Sequence, residues 1–391
     1  MQNYFTKSPF GFLVDEPIGF HDTTTLSHED KWFHQALLQA YQGVGRTCPN
    51  PPVGSVVVKN NKLIGKGFTS PAGMAHAEIN ALQEAGDLAR GATLYSTLEP
   101  CHHFGRTPPC TQAIIRAGIK KVIIGVKDPN PKVEGNGIRC LLDAGVEVTL
   151  RQPDALNAQA HALILPFTKY IQRQTPWVIC KVATSLDGYV AKEMGMRTAV
   201  SHAKAQALTH RLRNWVDAVM VGSNTVIVDN PALTVRHVNG DFIRNPHRIV
   251  LDGVLKTDVN SAVYDQAHAS VHVMHTALAA KLRVQEFDRA SISRIEVSSC
   301  ESHVSLPHVL NAMGQLGITS VLVECGTHLL TQFIKEQLFD ELWWIVSPKI
   351  FGTGGVNALS EKIPKGLLEK VEWSNPVVLE EDALFLGHHR G

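Results

Sequence analysis

Residues 97–110 read TLEPCHHFGRTPPC, and upstream residues 75–78 read AHAE. The later stretch holds Cys101 and Cys110, each preceded by a proline, with His102, His103 and Arg106 between them. One imidazole and two thiolates form a good ligand set for zinc, and three protein ligands leave a fourth position for water. His76 supplies the imidazole in this reading. Glu78, two residues on and at the start of the same helix, faces the water without ligating the metal. A carboxylate so placed can move protons between water, a ring nitrogen and a departing amine, while bound zinc makes that water acidic. Pro109 suits the first turn of a helix, whose positive end favours a thiolate at Cys110.

Neither half is decisive alone. A cysteine pair separated by eight residues is more often two buried thiols than a metal site, and a histidine at a helix start is more often structural. The short zinc deaminase signature, H-x-E followed by P-C-x-x-C, has a narrower gap. Both halves together, with a proline before each cysteine, point to zinc.

The surrounding sequence alternates strands and helices. Ser27 with Asp30 reads as a capping box, and Phe33, Leu37, Ala40 and Tyr41 recur at helical spacing, predicting a helix over about 28–42. PVGSVVV and KLIGKGF flank Asn60–Asn61 and read as a hairpin. HAEINALQEAGDLA is then helical, GATLYST a strand, TQAIIRAG a helix and KKVIIGV a strand, which indicates a layered α/β domain. Residues 151–173 read as a helix, and RQTP at 173–176 breaks the pattern. A second α/β series follows: strand WVICKVA, helix AKAQALTHRLRNW, strands DAVMVG, RIVLD and TSVLVEC, helix HLLTQFIKEQ and strand LWWIVS. The expected division is an N-terminal extension at 1–27, one domain at 28–173 and a second at 174–391.

The bulk properties exclude several classes. A chain of 391 residues suggests two domains. Its formal net charge is +1, with Lys and Arg scattered, which argues against nucleic-acid or membrane-surface binding but leaves room for a small anionic ligand. Seven widely spaced cysteines and no secretory signal argue against a disulfide scaffold. No window approaches the roughly 18–20 apolar residues of a membrane span, and the expected location is cytoplasmic. No short-period repeat is present.

At this point the motifs carry a resemblance. TCPNPPVG at 47–54, AHAE at 75–78, TLEPCHHFGRTPPC at 97–110 and DPNPKVEGNGI at 128–138 resemble the pyrimidine deaminase of riboflavin biosynthesis, where the wide gap between zinc cysteines is the expected form. The resemblance implies that His76, Cys101 and Cys110 bind zinc and that Glu78 is the proton shuttle. It also implies that Asn50 helps hold the pyrimidine and that His103 and Arg106 line the substrate site. Arg106 would suit a 5′-phosphate, because guanidinium matches phosphate oxygens in a forked geometry. Read from residues alone, Asn50 is a turn residue and Arg106 a solvated side chain. Thr69 stands where the family usually has a histidine after the second hairpin strand.

From residue 176 onward, PWVICKVATSLDGYVA, LRNWVDAVMVGSNTVIVDNPALTVR, VLVECGTHLL and SPKIFGTGG resemble the reductase half of the same family. That half has a fold like dihydrofolate reductase, consistent with the lack of an early GxGxxG fingerprint. The resemblance implies NADPH held by Gly222, Thr225 and Asp229 in one loop and Gly326 and Thr327 in another, with Ala183 and Ala199 also facing the cofactor. It implies a substrate held by Lys181, Arg213, Leu233, Arg236 and Glu324, with Asp187 in the strand–turn at the site. Taken singly, Asp187–Gly188 is often just a turn, Lys181 a solvated strand residue and Arg213 an exposed helix residue. One segment departs: where the family usually has Ser followed by Trp-Ile-[Ser/Thr], this chain reads MRTAVSHAKA, with Arg197, Ala199 and Ser201 at the equivalents. Losing an aromatic platform there predicts weaker cofactor binding or a changed pose.

The whole chain thus resembles the bifunctional riboflavin-biosynthesis deaminase–reductase family. The resemblance implies an α/β protein with an N-terminal cytidine-deaminase-like three-layer domain and a C-terminal dihydrofolate-reductase-like domain. The implied chemistry is zinc-dependent hydrolytic deamination of 2,5-diamino-6-ribosylamino-4(3H)-pyrimidinone 5′-phosphate, then NADPH-dependent reduction of the ribosyl to the ribityl chain, by a homodimer. Three rivals stand beside it. One is a cytidine or tRNA adenosine deaminase with an unrelated C-terminal domain. Another is a structural zinc module, closed by His102 or His103 and joined to a ligand-binding domain. The third is a deaminase whose reductase half is impaired.

Overall fold

The computed structural model describes residues 8–10, 26–105, 107–131, 133–236, 238, 243–300 and 303–389. They fall into two compact units that divide between Arg173 and Gln174.

The first unit runs α1 (His28–Gly43), β1 (Gly54–Lys59), β2 (Lys62–Phe68), α2 (Ala77–Ala85), β3 (Thr93–Leu98), α3 (Cys110–Arg116), β4 (Lys121–Val126), α4 (Asn136–Asp143), β5 (Glu147–Leu150), α5 (Ala155–Leu163) and α6 (Leu165–Arg173). Its sheet has the order β2-β1-β3-β4-β5. β2 and β3 are antiparallel to β1, while β3, β4 and β5 are parallel. α1 starts where the sequence predicts: the Ser27 hydroxyl accepts the Asp30 N–H at 3.2 Å, which satisfies one of the orphan donors of the first turn. Phe33 and Leu37 on its inner face are fully buried, each contributing about 2–3 kcal/mol of apolar transfer. Asn60 and Asn61 have φ of 46° and 58°, the left-handed pair that a two-residue hairpin turn needs and that Asn tolerates.

Alternation along the hairpin puts a helix on each side of the sheet. A Cβ on Gly54 would sit 2.0 Å from the Ala36 carbonyl oxygen of α1. On the other face, a Cβ on Gly65 would sit 2.2 Å from the Ala81 carbonyl oxygen, and one on Gly67 2.7 Å from that of Ala77, both in α2. Under α2, α3 and α4 lies one core of Val57, Ala81, Leu94, Ile114, Val122, Ile124 and Leu141. The expected helix over 151–173 is two helices. Residues 151–154 lie outside it, with Asp154 capping α5 through the Asn157 N–H at 2.7 Å. The break falls at Ile164, where Pro166 cannot donate a helical N–H but fits a first turn.

The second unit runs β6 (Trp177–Ser185), β7 (Tyr189–Ala191), α7 (Ala203–Trp215), β8 (Ala218–Gly222), α8 (Ser223–Asp229), β9 (His247–Leu251), β10 (Val271–His275), α9 (Lys281–Arg289), β11 (Ser293–Glu296), β12 (Ser299–Cys300), β13 (His303–Val304) and α10 (Leu306–Gln315). It continues with β14 (Ser320–Glu324), α11 (Thr327–Lys335), β15 (Glu341–Ser347), β16 (Val356–Asn357), β17 (Val371–Trp373), β18 (Val377–Leu379) and β19 (Asp382–His389). The main sheet has the order β11-β10-β9-β8-β14-β6-β15-β19-β17, with β18 also on β19. The strands from β11 to β15 in that order are parallel, and β19 is antiparallel to β15. Parallel strands covered on both faces read as apolar runs, as in AVMV and SVLV. Val178, Met220, Val321, Val323, Leu330 and Phe333 form part of the resulting core. Among the described residues no helix is long and apolar enough to cross a membrane.

Candidate active sites

In the first unit, the sheet ends and helix starts converge on one cluster. His76 is the N-cap of α2, Glu78 lies in that helix's first turn, and Cys110 is the first residue of α3. Cys101 follows β3. The ligand atoms of His76, Cys101 and Cys110 all lie within 4.8 Å of one another. His76 Nδ1 is 3.3 Å from Cys110 Sγ and 3.6 Å from Cys101 Sγ. The Cys110 N–H donates to Cys101 Sγ at 3.4 Å, and the Thr111 N–H to the Cys101 carbonyl at 3.1 Å. Hydrogen bonding from Cys110, then from His76, pulls Cys101 down to about 4, whereas the bond to Cys101 and burial push Cys110 up. The hydrogen bond to Cys101 raises the His76 pKa against the effect of burial. A thiolate, a second thiol and an imidazole facing one point fit a zinc ion. Glu78 is 3 % exposed, and burial pushes its carboxyl up to about 7.

The other residues expected here divide. Asn50 is half-buried in the turn after the cis Cys48–Pro49 bond. Its N–H donates to the Thr47 carbonyl and its carbonyl accepts the Thr47 hydroxyl, both at 2.8 Å. His103 is half-buried, 5.7 Å from the His102 ring in a T-shaped arrangement. Arg106 lies outside the described residues. Thr69 is buried, and its hydroxyl accepts the Val53 N–H at 3.3 Å.

Sequence reasoning missed Glu99, one residue before Pro100–Cys101. It is buried and accepts three backbone N–H groups, from Asp128 at 3.3 Å, Gly135 at 3.0 Å and Ile138 at 3.1 Å. It thereby ties the cysteine loop to the DPNPKVEGNGI segment. Gly137 is where that segment comes closest: a Cβ there would lie 2.1 Å from the Pro100 carbonyl oxygen. A glutamate directly before the cysteine motif was the available signal.

In the second unit, the parallel register of β6 and β14 sets Lys181 beside Glu324. Arg213, on α7, closes a fork on that carboxylate: Nε donates to Oε1 at 2.5 Å and Nη2 to Oε2 at 2.8 Å. Burial alone would raise the Glu324 pKa, but Arg213 and Lys181 hold it below its ordinary value. Burial, with Arg213 adding, lowers Lys181. Arg213 Nη1 also donates to the Thr234 carbonyl at 3.0 Å. Leu233 is 1 % exposed with φ of 53°, a conformation costly for a side chain of its size.

The two glycine-containing loops meet. Gly222 and Gly326 are the N-caps of α8 and α11, and a Cβ on Gly326 would lie 3.7 Å from the Thr225 hydroxyl. Thr327 donates its hydroxyl to the Asn357 carbonyl at 2.7 Å. Burial raises Asp229 and the charge of Arg197 opposes it, so Arg197 reaches this cluster electrostatically. Ala199 is exposed and its carbonyl accepts Lys349 Nζ at 2.9 Å. Ala183 is half-buried on β6, in register with Ile345. Arg236 is exposed. Asp187 is exposed in the β6–β7 turn, where its carboxylate accepts the Phe351 and Gly352 N–H groups at 3.1 and 2.8 Å.

Comparison with known proteins agrees with both halves. Residues 26–126 match the cytidine and deoxycytidylate deaminase zinc-binding region, and residues 176–375 match the RibD C-terminal domain. The riboflavin biosynthesis protein RibD of Aquifex aeolicus is 38% identical over 343 residues, spanning 86% of this chain and 93% of its own. The Escherichia coli RibD is 33% identical over 338 residues, spanning 83% and 89%. Among solved structures, Acinetobacter baumannii RibD superposes with a TM-score of 0.82 at 32% identity, covering 93% of this chain and 99% of its own. A Thermotoga maritima protein described as diaminohydroxyphosphoribosylaminopyrimidine deaminase/5-amino-6-(5-phosphoribosylamino)uracil reductase gives 0.79 at 34% identity, with the same coverage. A zinc-binding deaminase fold and a RibD reductase fold in one chain, both alike to these relatives over most of their length, place it: the chain belongs to the RibD family of riboflavin biosynthesis proteins.

Proposed function

We propose that this chain carries out two successive reactions on one phosphorylated pyrimidine. The first unit hydrolytically deaminates 2,5-diamino-6-ribosylamino-4(3H)-pyrimidinone 5′-phosphate, and the second reduces the ribosyl group to ribityl. The observation that carries the reading is the His76–Cys101–Cys110 cluster beside a buried Glu78. These three side chains would hold zinc, which when bound supplies a Lewis acid that makes water nucleophilic near neutral pH. Glu78 accepts a proton from the attacking water and returns protons to the ring nitrogen and the departing amine. The ring C–N bond to the amino group is replaced by a carbonyl, and ammonia leaves. Asn50 orients the pyrimidine, and His103 and Arg106 line the site, with Arg106 on the phosphate.

In the second unit a reduced nicotinamide, NADPH by family preference, supplies the hydride when bound. Gly222, Thr225, Asp229, Gly326, Thr327, Ala183 and Ala199 form its seat. Arg213, Arg236, Leu233, Lys181 and Glu324 receive the substrate, with guanidinium groups suited to its phosphate. A cytoplasmic homodimer completes the reading.

The test is to supply the diaminopyrimidinone phosphate to the zinc-loaded chain with and without NADPH. Ammonia release in both cases, with NADPH oxidation in the second, supports both halves. Ammonia without NADPH oxidation removes the reductase half and points to Arg197 and Ala199. No ammonia release removes the deaminase half.

A further inference from the structure

We propose that His210 is a positioning residue for the reductase substrate: it fixes the backbone of Arg236, and so the direction from which that guanidinium meets the anionic end of the substrate. The inference rests on the reading of the second unit as a reductase with Arg236 toward the phosphate. His210 lies on α7 three residues before Arg213, a spacing that puts both side chains on one face of the helix. It is 8 % exposed. Its Nδ1 accepts the Arg236 N–H at 3.1 Å. One turn on, Arg213 Nη1 holds the Thr234 carbonyl at 3.0 Å, and the Val235 N–H donates to Asn245 Oδ1 at 2.7 Å.

Three consecutive residues therefore have their backbone held by side chains, directly after Leu233 in its left-handed conformation. The strained residue turns the chain, and the three anchors fix where it goes next. The Arg236 side chain itself is exposed. A long, exposed guanidinium has many rotamers open to it, so anchoring its backbone narrows the directions it can reach. Here the imidazole spends its acceptor on the one backbone N–H that directs Arg236, from the same helix face as the Arg213–Glu324 fork.

The experiment measures NADPH oxidation by the full zinc-loaded chain with 5-amino-6-(5-phosphoribosylamino)uracil. If the unsubstituted chain does not oxidise NADPH, the reductase reading fails independently of His210. Given turnover, His210→Leu is expected to raise KM for the phosphorylated substrate about ten-fold, the scale of one lost hydrogen bond. The effect should fall on KM rather than kcat and should leave the KM for NADPH unmoved. His210→Asn, whose Oδ1 can take the place of Nδ1, is expected to recover most of the loss. His210→Gln, whose acceptor reaches further out, is not. A substrate KM within about two-fold of the parent in His210→Leu overturns the proposal, as does an Asn variant no better than Gln. The Asn–Gln pair decides the matter even if the Leu variant does not fold.

Discussion

The first unit gathers its reactive side chains at the starts of two helices and the end of one strand, all within reach of one point. The second distributes its polar residues over β6, α7, the loop after α8 and β14, and joins them by an ion pair and backbone anchors. Metal ligands must converge within a few ångströms, so the first site is compact. The proposed reductase site, for a phosphorylated pyrimidine and a nicotinamide cofactor, needs a wider surface with a few placed polar groups, which suits residues drawn from elements far apart in the chain. The two should therefore fail separately.

The sharpest break between them is Glu78→Gln. Deamination should fall about 10²–10⁴-fold, the range for a lost proton-transfer group. Zinc content by metal analysis and NADPH oxidation on the deaminated substrate should both be kept. Loss of both activities would contradict the separation. Next is Glu324→Gln, which removes one side of the Arg213 fork. Losing a charge-assisted hydrogen bond of about 1.5–3 kcal/mol predicts roughly a 10- to 100-fold fall in reductase kcat/KM. Ammonia release should be unchanged.

These two predictions use residues that the sequence itself made visible, for different reasons. HAE and the paired Pro-Cys steps are short, chemically unusual and self-contained, so metal chemistry could be read before any fold. Lys181, Arg213 and Glu324 carry no such signal, since each type is ordinary at its position, and only the order of four segments raised them. The strand and helix series was legible where apolar periodicity is strong, but α4, β5, α8, β10, α9, β11, α10 and the strands after β15 went unread, and the reading failed at Ile164 because apolar spacing continues across a break that Pro166 imposes. His210 was not legible, and Glu99 only by its place directly before the cysteine motif. Their role is to hold the backbone of distant segments, and no local pattern encodes a partner that only the folded chain brings near.

Gly137→Ala tests the supporting layer of the first site. The new Cβ would press on the Pro100 carbonyl oxygen, which is backbone and cannot rotate away. Overpacking of this kind costs about 1–3 kcal/mol, a fall of several degrees in Tm for a unit of this size. Zinc affinity should weaken along with it, and the reductase should not change.

The smallest effect separates the units by pH. His247 and His272 stack with centroids 5.8 Å apart in the second unit. Burial lowers both rings, with Arg244 adding at His247 and His247 adding at His272. The unfolded chain therefore takes up these protons first as pH falls through the ordinary histidine range. The pair's full stability is present above about 6.5 and is lost on acidification below it. Thermal unfolding between pH 7.5 and 5.5 should show a steeper decline for the parent than for a His247→Gln/His272→Gln variant. The difference should be on the order of 1 kcal/mol or less.

Gly65 and Gly67 let α2 lie directly on the β2 backbone, and α2 carries His76 at its cap and Glu78 in its first turn. A complete substitution survey scored by ammonia release should therefore find these two glycines about as intolerant as His76, Cys101 and Cys110, the residues proposed to hold zinc. Such a survey would draw the boundary of the deaminase around what the sheet leaves out as well as around what the helix brings in.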